Sequence, residues 1–342
     1  MDNLVLFNKN DLINLLKNRQ GESKFGKHIH YLSNFNTIYD DIFNLDVTYV
    51  IFGIKEDIGV FANYGKTGAS KAWEATLNSL LNIQSNSFTK ANKVLILGYL
   101  DYSKALEKLK EVDQNNQKHI LKARKKVSKI DLDVSELVYQ IISAGKIPII
   151  IGGGHNNAYG NIKGTSLALK KPVNAINFDA HSDYRAEEGR HSGNGFSYAH
   201  HDGFLNRYFV FGLHENYTSD LVLKNLDKNK LIQYNTFEEI EIRKELKFCK
   251  ELERASEFIT KSPFGIEIDC DAIKNIPSSA MTPSGFSTNK ARRFVNYFGK
   301  QENARYLHIC EAAPTPETET QVGKLITYLI TDFIKANGAI SK

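Results

Sequence analysis

The chain has 342 residues, with 44 Lys and Arg against 39 Asp and Glu, and 42% of it is hydrophobic, a globular composition that argues against disorder. Its three cysteines, Cys249, Cys270 and Cys310, are too few for a disulfide framework and suit a reducing compartment. No stretch approaches the ~18 apolar residues of a membrane span, and Asp2, Lys9 and Asp11 interrupt any signal-peptide core, so the expectation is a cytoplasmic protein without a membrane partner.

In chain order, residues 1–40 read as an N-terminal extension, helix-like over Lys9–Lys17, to a single domain spanning 1–342. Strand-like runs then recur at Val47–Phe52, Val94–Leu97, Ile147–Ile151, Val173–Phe178, Tyr208–Phe211, Leu231–Tyr234, Gly265–Ile268 and Tyr306–Ile309. Helix-like segments lie between most of them, including Ser70–Ile83, Leu132–Ala144 and Leu246–Ile259. Apolar strands alternating with helices predict an α/β domain with a mostly parallel sheet of about eight strands. The basic run Lys122, Arg124, Lys125, Lys126 and Lys129 reads as a solvated helix face. It lacks the aromatic interleaving or reader motif of a nucleic-acid surface, so no nucleic-acid partner is expected.

In such a sheet the reactive residues belong just past the C-terminal ends of strands. Ile147–Ile151 runs into Gly152, Gly153, Gly154 and His155, which has neither the spacing nor the lysine of a phosphate loop. The glycines instead allow a tight turn that carries His155 inward. Val173–Phe178 ends in Asp179-Ala180-His181-Ser182-Asp183, and Gly265–Ile268 ends in Asp269-Cys270-Asp271. Alternation along extended chain puts Asp179, His181 and Asp183 on one side, and Asp269 and Asp271 on another, with Cys270 turned into packing. A hydrogen-bonded cluster or a wet loop would explain either segment alone. Together they supply four aspartates and two histidines, a hard-oxygen and imidazole set that suits two Mn²⁺ or other divalent ions better than structural zinc. Two such ions about 3.5–4 Å apart can activate a shared water, which predicts a hydrolase.

The segments GGGH at 152–155, DAHSD at 179–183 and DCD at 269–271 resemble the metal-binding signatures of the ureohydrolase (arginase/agmatinase) superfamily. Glu311 matches its substrate-facing glutamate. Thr282-Pro283-Ser284-Gly285 resembles part of its TPxPGG segment, with Phe286 in place of a glycine. The resemblance covers roughly residues 45–335. It implies a three-layer α/β/α sandwich, a dimanganese cluster and hydrolysis of a C–N bond in a small amidine or guanidino substrate. By motif position His155 and Asp183 would hold one ion and His181 and Asp271 the other, with Asp179 and Asp269 bridging. Relatives are usually oligomers, so a homo-oligomer is expected.

Two departures point within the superfamily. Phe196 stands where arginases carry a proton-transfer histidine, and Arg185 stands where they place an asparagine. DYR…GRHSGNGFSYA, EDIGVFANYGK at 56–66 and Ala72-Trp73 are similar to formimidoylglutamases. That implies cleavage of N-formimino-L-glutamate to glutamate and formamide, a step of histidine degradation. An arginine fork suits the diacid substrate, and Arg190 and Asn194 are further candidates for holding it. Glu311 would orient the formimino group and Asp183 would carry a proton to the leaving amine. The alternatives are a ureohydrolase releasing urea from a guanidino compound, a metal-free relative, and a one-metal zinc deacetylase.

Overall fold

The computed structural model describes residues 2–34 and 36–339. Nine strands form one sheet: β1 (Leu4–Leu6), β2 (Tyr49–Lys55), β3 (Val94–Asp101), β4 (Ile147–Ile151), β5 (Val173–Phe178), β6 (Leu205–Leu213), β7 (Ile232–Thr236), β8 (Phe264–Asp269) and β9 (Ala304–Cys310). Their spatial order is β1-β3-β2-β4-β9-β8-β5-β6-β7. β1 runs antiparallel to β3, and every other pairing is parallel. All eight strands expected from the sequence are present: β4 and β5 keep their expected ends, β3, β6, β8 and β9 are longer, and β2 and β7 start and end later. β1 is the addition: three residues that cap the sheet edge.

The two-residue period of extended chain sends neighbouring side chains to opposite faces. Ile149 and Ile151, Ile176 and Phe178, and Phe209 and Phe211 enter a core closed by the helices Ala72–Leu80, Phe248–Ile259, Thr288–Gly299 and Glu319–Asn337. Ile150, Ala175, Tyr208 and Val210 enter a second core under Ile38–Phe43, Gln117–Ser143 and Asn157–Leu169. Helices on both faces of a mostly parallel sheet make the expected three-layer α/β/α sandwich.

The long helix Gln117–Ser143 joins into one element the basic helix face around Lys122–Lys129 and the helix-like segment Leu132–Ala144. Ile120, Ala123, Val127 and Ile130 bury its inner face, while Lys122, Lys125 and Lys129 face solvent as expected. Arg124 departs from that pattern: it is buried and donates from Nη1 to the Glu188 carbonyl at 2.6 Å. Among the described residues no helix is long and apolar enough to cross a membrane.

β4 lies next to β2 on one side and β9 on the other, while β5, the next strand in sequence, lies three places away. The order therefore reverses between them, opening a crevice at the C-terminal ends of β4, β9, β8 and β5.

Candidate metal centre

Beyond β4 the backbone passes through Gly152 and Gly153 at φ of 85° and 71°, which only glycine adopts without strain. The turn wraps a buried carboxylate, with Glu56 accepting from Gly154 N at 2.9 Å and Asn157 Nδ2 at 2.8 Å. This tight turn delivers His155 to the middle of the crevice, fully buried. Its Nδ1 lies 2.8 Å from Asp183 Oδ2, 3.2 Å from Asp179 Oδ2 and 3.2 Å from Asp269 Oδ2.

The second imidazole approaches from the other side. His181 Nδ1 is 3.5 Å from Asp179 Oδ1 and 3.9 Å from Asp271 Oδ2. Asp179 thus turns one oxygen to each histidine. Asp269 also faces two ways, Oδ2 toward His155 and Oδ1 accepting from Asp271 N at 2.7 Å. Asp271 is steadied by Ser279 Oγ at 3.1 Å and Ala280 N at 3.0 Å. All six residues read as metal ligands come together, drawn from three strand ends. Cys270 packs into the hydrophobic core, as the alternation predicted.

Burial and the neighbouring Asp179 push the Asp183 carboxyl above its ordinary range, and burial with Asp271 pushes Asp269 well above it. Burial raises Asp271 too. Burial works against a charged His181, but Asp179 outweighs it and raises that imidazole to about 10. His155 is raised as well, burial opposing and the side chains of Cys310, Asp179, Asp183 and Asp269 prevailing. Asp179 goes the other way: burial would raise it, but the two imidazoles beside it hold its carboxyl below the ordinary range, so a metal-free cluster keeps protons on its other carboxyls that a cation would replace. The donor set is therefore one that divalent cations fit.

Glu311 follows β9 at a φ of 60°, and Asp183 has a φ of 44°. A non-glycine residue in this left-handed region costs on the order of 1 kcal/mol, and both strained residues stand at the crevice. Glu311 Oε1 accepts from His155 N at 2.7 Å, while its buried Oε2 has no hydrogen-bond partner. Burial and Asp271 raise its carboxyl to about 8. Over the cluster opens a cavity of about 540 Å³ lined by His181, Asp183, Asp269, Asp271 and Glu311, with Asn63, Arg185, Ser192, Tyr217, Thr218 and Ser219 among its outer residues.

The three other residues read as substrate contacts divide. Arg185 lines the cavity, half-exposed, donating from Nη1 to Asn63 Oδ1 at 2.7 Å and from Nη2 to Glu188 Oε1 at 3.2 Å. Arg190 and Asn194 do not reach it. Arg190 is buried against Asp131 (Nε to Oδ2, 2.9 Å) and the Asn156 carbonyl (2.8 Å), and its Nη1 donates to Asn194 Oδ1 at 2.7 Å. Asn194 completes its bonding with the Ala186 and Gly189 carbonyls. The pair ties down the loop behind the wall, which corrects their reading as substrate contacts. Phe196 likewise lies beneath the site, fully buried, its edge to His155 and its face stacked on Tyr208 with centroids 4.3 Å apart.

A buried polar layer under the cluster escaped the sequence reading. Asn177 Nδ2 donates to Asp179 Oδ2 and to Tyr208 Oη, both at 2.9 Å. Glu267 sits on β8 with Tyr306 Oη donating to its Oε1 at 2.7 Å and His308 Nδ1 at 2.6 Å from its Oε2. The sequence signal was limited to alternation, which sets Glu267 on the same side of β8 as Asp269; that register places Glu267 opposite His308 shows only in the fold.

Residues 48–335 match the family model described as "Arginase family". A formimidoylglutamase of Streptococcus pyogenes is 26% identical over 294 residues, covering 82% of each chain. The solved formiminoglutamase of Trypanosoma cruzi with Mn²⁺ superposes with a TM-score of 0.71 at 22% identity, covering 92% of this chain and 98% of that one. The formimidoylglutamase of Bacillus subtilis gives a TM-score of 0.74 at 17% identity, covering 94% of both. With a family match across most of its length and the family's fold, this chain belongs to the arginase family and is a hydrolase of C–N bonds in amidines or guanidines.

Proposed function

We propose that the chain is a formimidoylglutamase, hydrolysing N-formimino-L-glutamate to glutamate and formamide at a pair of divalent cations, Mn²⁺ by preference. His155 and Asp183 would hold one cation and His181 and Asp271 the other, with Asp179 and Asp269 shared. The two faces that Asp179 turns to the two imidazoles support that division. Bound there, such cations make a water nucleophilic near neutral pH and stabilise the charge that develops.

The chain's own residues do the rest. Glu311 Oε2, buried and unpartnered, accepts a hydrogen bond from the formimino nitrogen and presents the formimino carbon to the attacking water. The Asp183 carboxylate takes a proton from that water and passes it to the departing glutamate nitrogen. As the C–N bond breaks, the oxygen stays with the carbon, giving formamide and the free amine. Arg185 at the cavity wall would offer its planar fork to a substrate carboxylate by exchanging the contacts its Nη1 and Nη2 make with Asn63 and Glu188.

The observation that carries the substrate assignment is this arginine beside the cluster, two residues beyond Asp183, where a carboxylate of the diacid meets it. The test is a substrate panel on Mn²⁺-reconstituted protein with formamide and urea both measured. Formamide from formiminoglutamate is expected; faster urea release from arginine, agmatine or guanidinobutyrate overturns the assignment.

A further inference from the structure

The His155 ring has two nitrogens in different surroundings. Nδ1 faces three aspartate oxygens, and Nε2 faces away from the cluster, fully buried. Nε2 makes no hydrogen bond, and the carboxylate oxygen beside it is Glu267 Oε2, 3.5 Å away. A neutral imidazole carries its proton on one nitrogen only, and a ligand nitrogen must be the other. With the proton on Nδ1, His155 could not bind a cation among the aspartates.

Glu267 is built to hold its place. Its carboxylate is fully buried and fixed at both oxygens, by Tyr306 Oη at 2.7 Å and His308 Nδ1 at 2.6 Å. Both partners stand on β9 and share one side of it, with His308 in register opposite Glu267. Gly265 makes the arrangement possible, because a Cβ there would fall inside the Tyr306 ring. An apolar strand interior that carries a carboxylate needs a reason, since burying that charge is costly unless it is bonded. Tyr306 and His308 account for both Glu267 oxygens, and a proton on the buried, unbonded Nε2 is steadied by the Glu267 charge 3.5 Å away rather than by a hydrogen bond.

We infer that Glu267 is a positioning residue which, held by Tyr306 and His308, keeps the His155 proton on Nε2 and so frees Nδ1 as a cation ligand. This rests on the two-cation reading of the site. Glu267 touches neither substrate nor cation; it acts through His155. Carboxylates placed behind a ligating histidine typically change metal affinity by ~10–100-fold when removed.

The test is an EPR titration of Mn²⁺ into metal-free wild type and Glu267→Gln, beside thermal unfolding of both metal-free proteins. Wild type is expected to take two ions, and the variant to bind one of them ~10–100-fold more weakly with the other unchanged. A purely structural role would lower the unfolding temperature but leave the folded protein's affinities alone, and that result overturns the inference. A wild type that binds no Mn²⁺ refutes the two-cation reading instead. Should Glu267→Gln fail to fold, Glu267→Asp, with its carboxylate drawn back by one methylene, goes through the same titration. A several-fold loss confined to one ion is expected, and wild-type affinity for both overturns the inference.

Discussion

Stripping divalent cations from this protein should make it acid-stabilised, against the usual expectation for a carboxylate-rich site. Glu311 is buried and holds its proton up to about 8, whereas its ordinary value is 4.5. Between those values the folded chain keeps a proton that the unfolded chain has released, so stability falls as pH rises through the window. From about pH 6 to pH 8, with a slope of about 1.4 kcal/mol per pH unit that halves as pH reaches the folded value, Glu311 alone removes about 2 kcal/mol. At about 2.1 cal/mol/K per residue, the unfolding entropy of the 342-residue chain converts this into a fall of about 3 °C. His181, raised from 6.5 to about 10, acts in the same direction. Mn²⁺ should reverse the trend, because the ion would displace the His181 proton by ligation, its charge would favour the ionised Glu311 nearby, and it binds more tightly as protons leave. At a hundredfold excess over the dissociation constant each site adds ~2.7 kcal/mol. The assay is calorimetric unfolding across that pH range, with chelator and with Mn²⁺. A metal-free midpoint that stays flat or climbs with pH, or a midpoint that Mn²⁺ does not move, would refute the reasoning.

Arg185→Ala should raise KM for formiminoglutamate by ~10–100-fold, the loss of one charge-assisted hydrogen bond, with kcat little changed. Steady-state kinetics against an amidine lacking carboxylates, which should not feel the change, checks this. Glu311→Gln should lower kcat/KM by ~10²–10³ while elemental analysis still finds two Mn²⁺ per chain. Gly265→Ala should cost about 1–3 kcal/mol in denaturant unfolding, because the added methyl displaces the Tyr306 ring.

The sequence announces the sheet well because parallel strands covered on both faces must be continuously apolar, and runs such as Ile147–Ile151 and Val173–Phe178 have matching ends in the structure. β1 was not legible: three residues flanked by charge make an edge strand only because β3 offers unpaired backbone. The helix Gln117–Ser143 was legible as two pieces, a basic face and the segment Leu132–Ala144, whose continuity shows in the buried stripe Ile120, Val127, Ile130 and Val134. At the site, the six residues proposed as ligands could be picked out from three strand ends. Arg190 and Asn194 could not be judged that way, since nearness in sequence does not reveal that Asp131, on a distant helix, holds the arginine. Glu267 was hidden for the opposite reason. Its partners His308 and Tyr306 stand on a strand about forty positions away, so the network exists only once β8 and β9 are paired.

The crevice draws on strands that are adjacent in space but remote along the chain: His155 and Glu311, bonded to each other, are 156 positions apart. Joining such ends carries a large loop-closure entropy and makes for slow assembly. The centre of the sheet must therefore zip before any cation finds its full set of donors, and the ion cannot act as a nucleus. Its kinetic signature belongs on the other limb: added Mn²⁺ should leave the refolding rate nearly untouched and lengthen the lifetime of the native state.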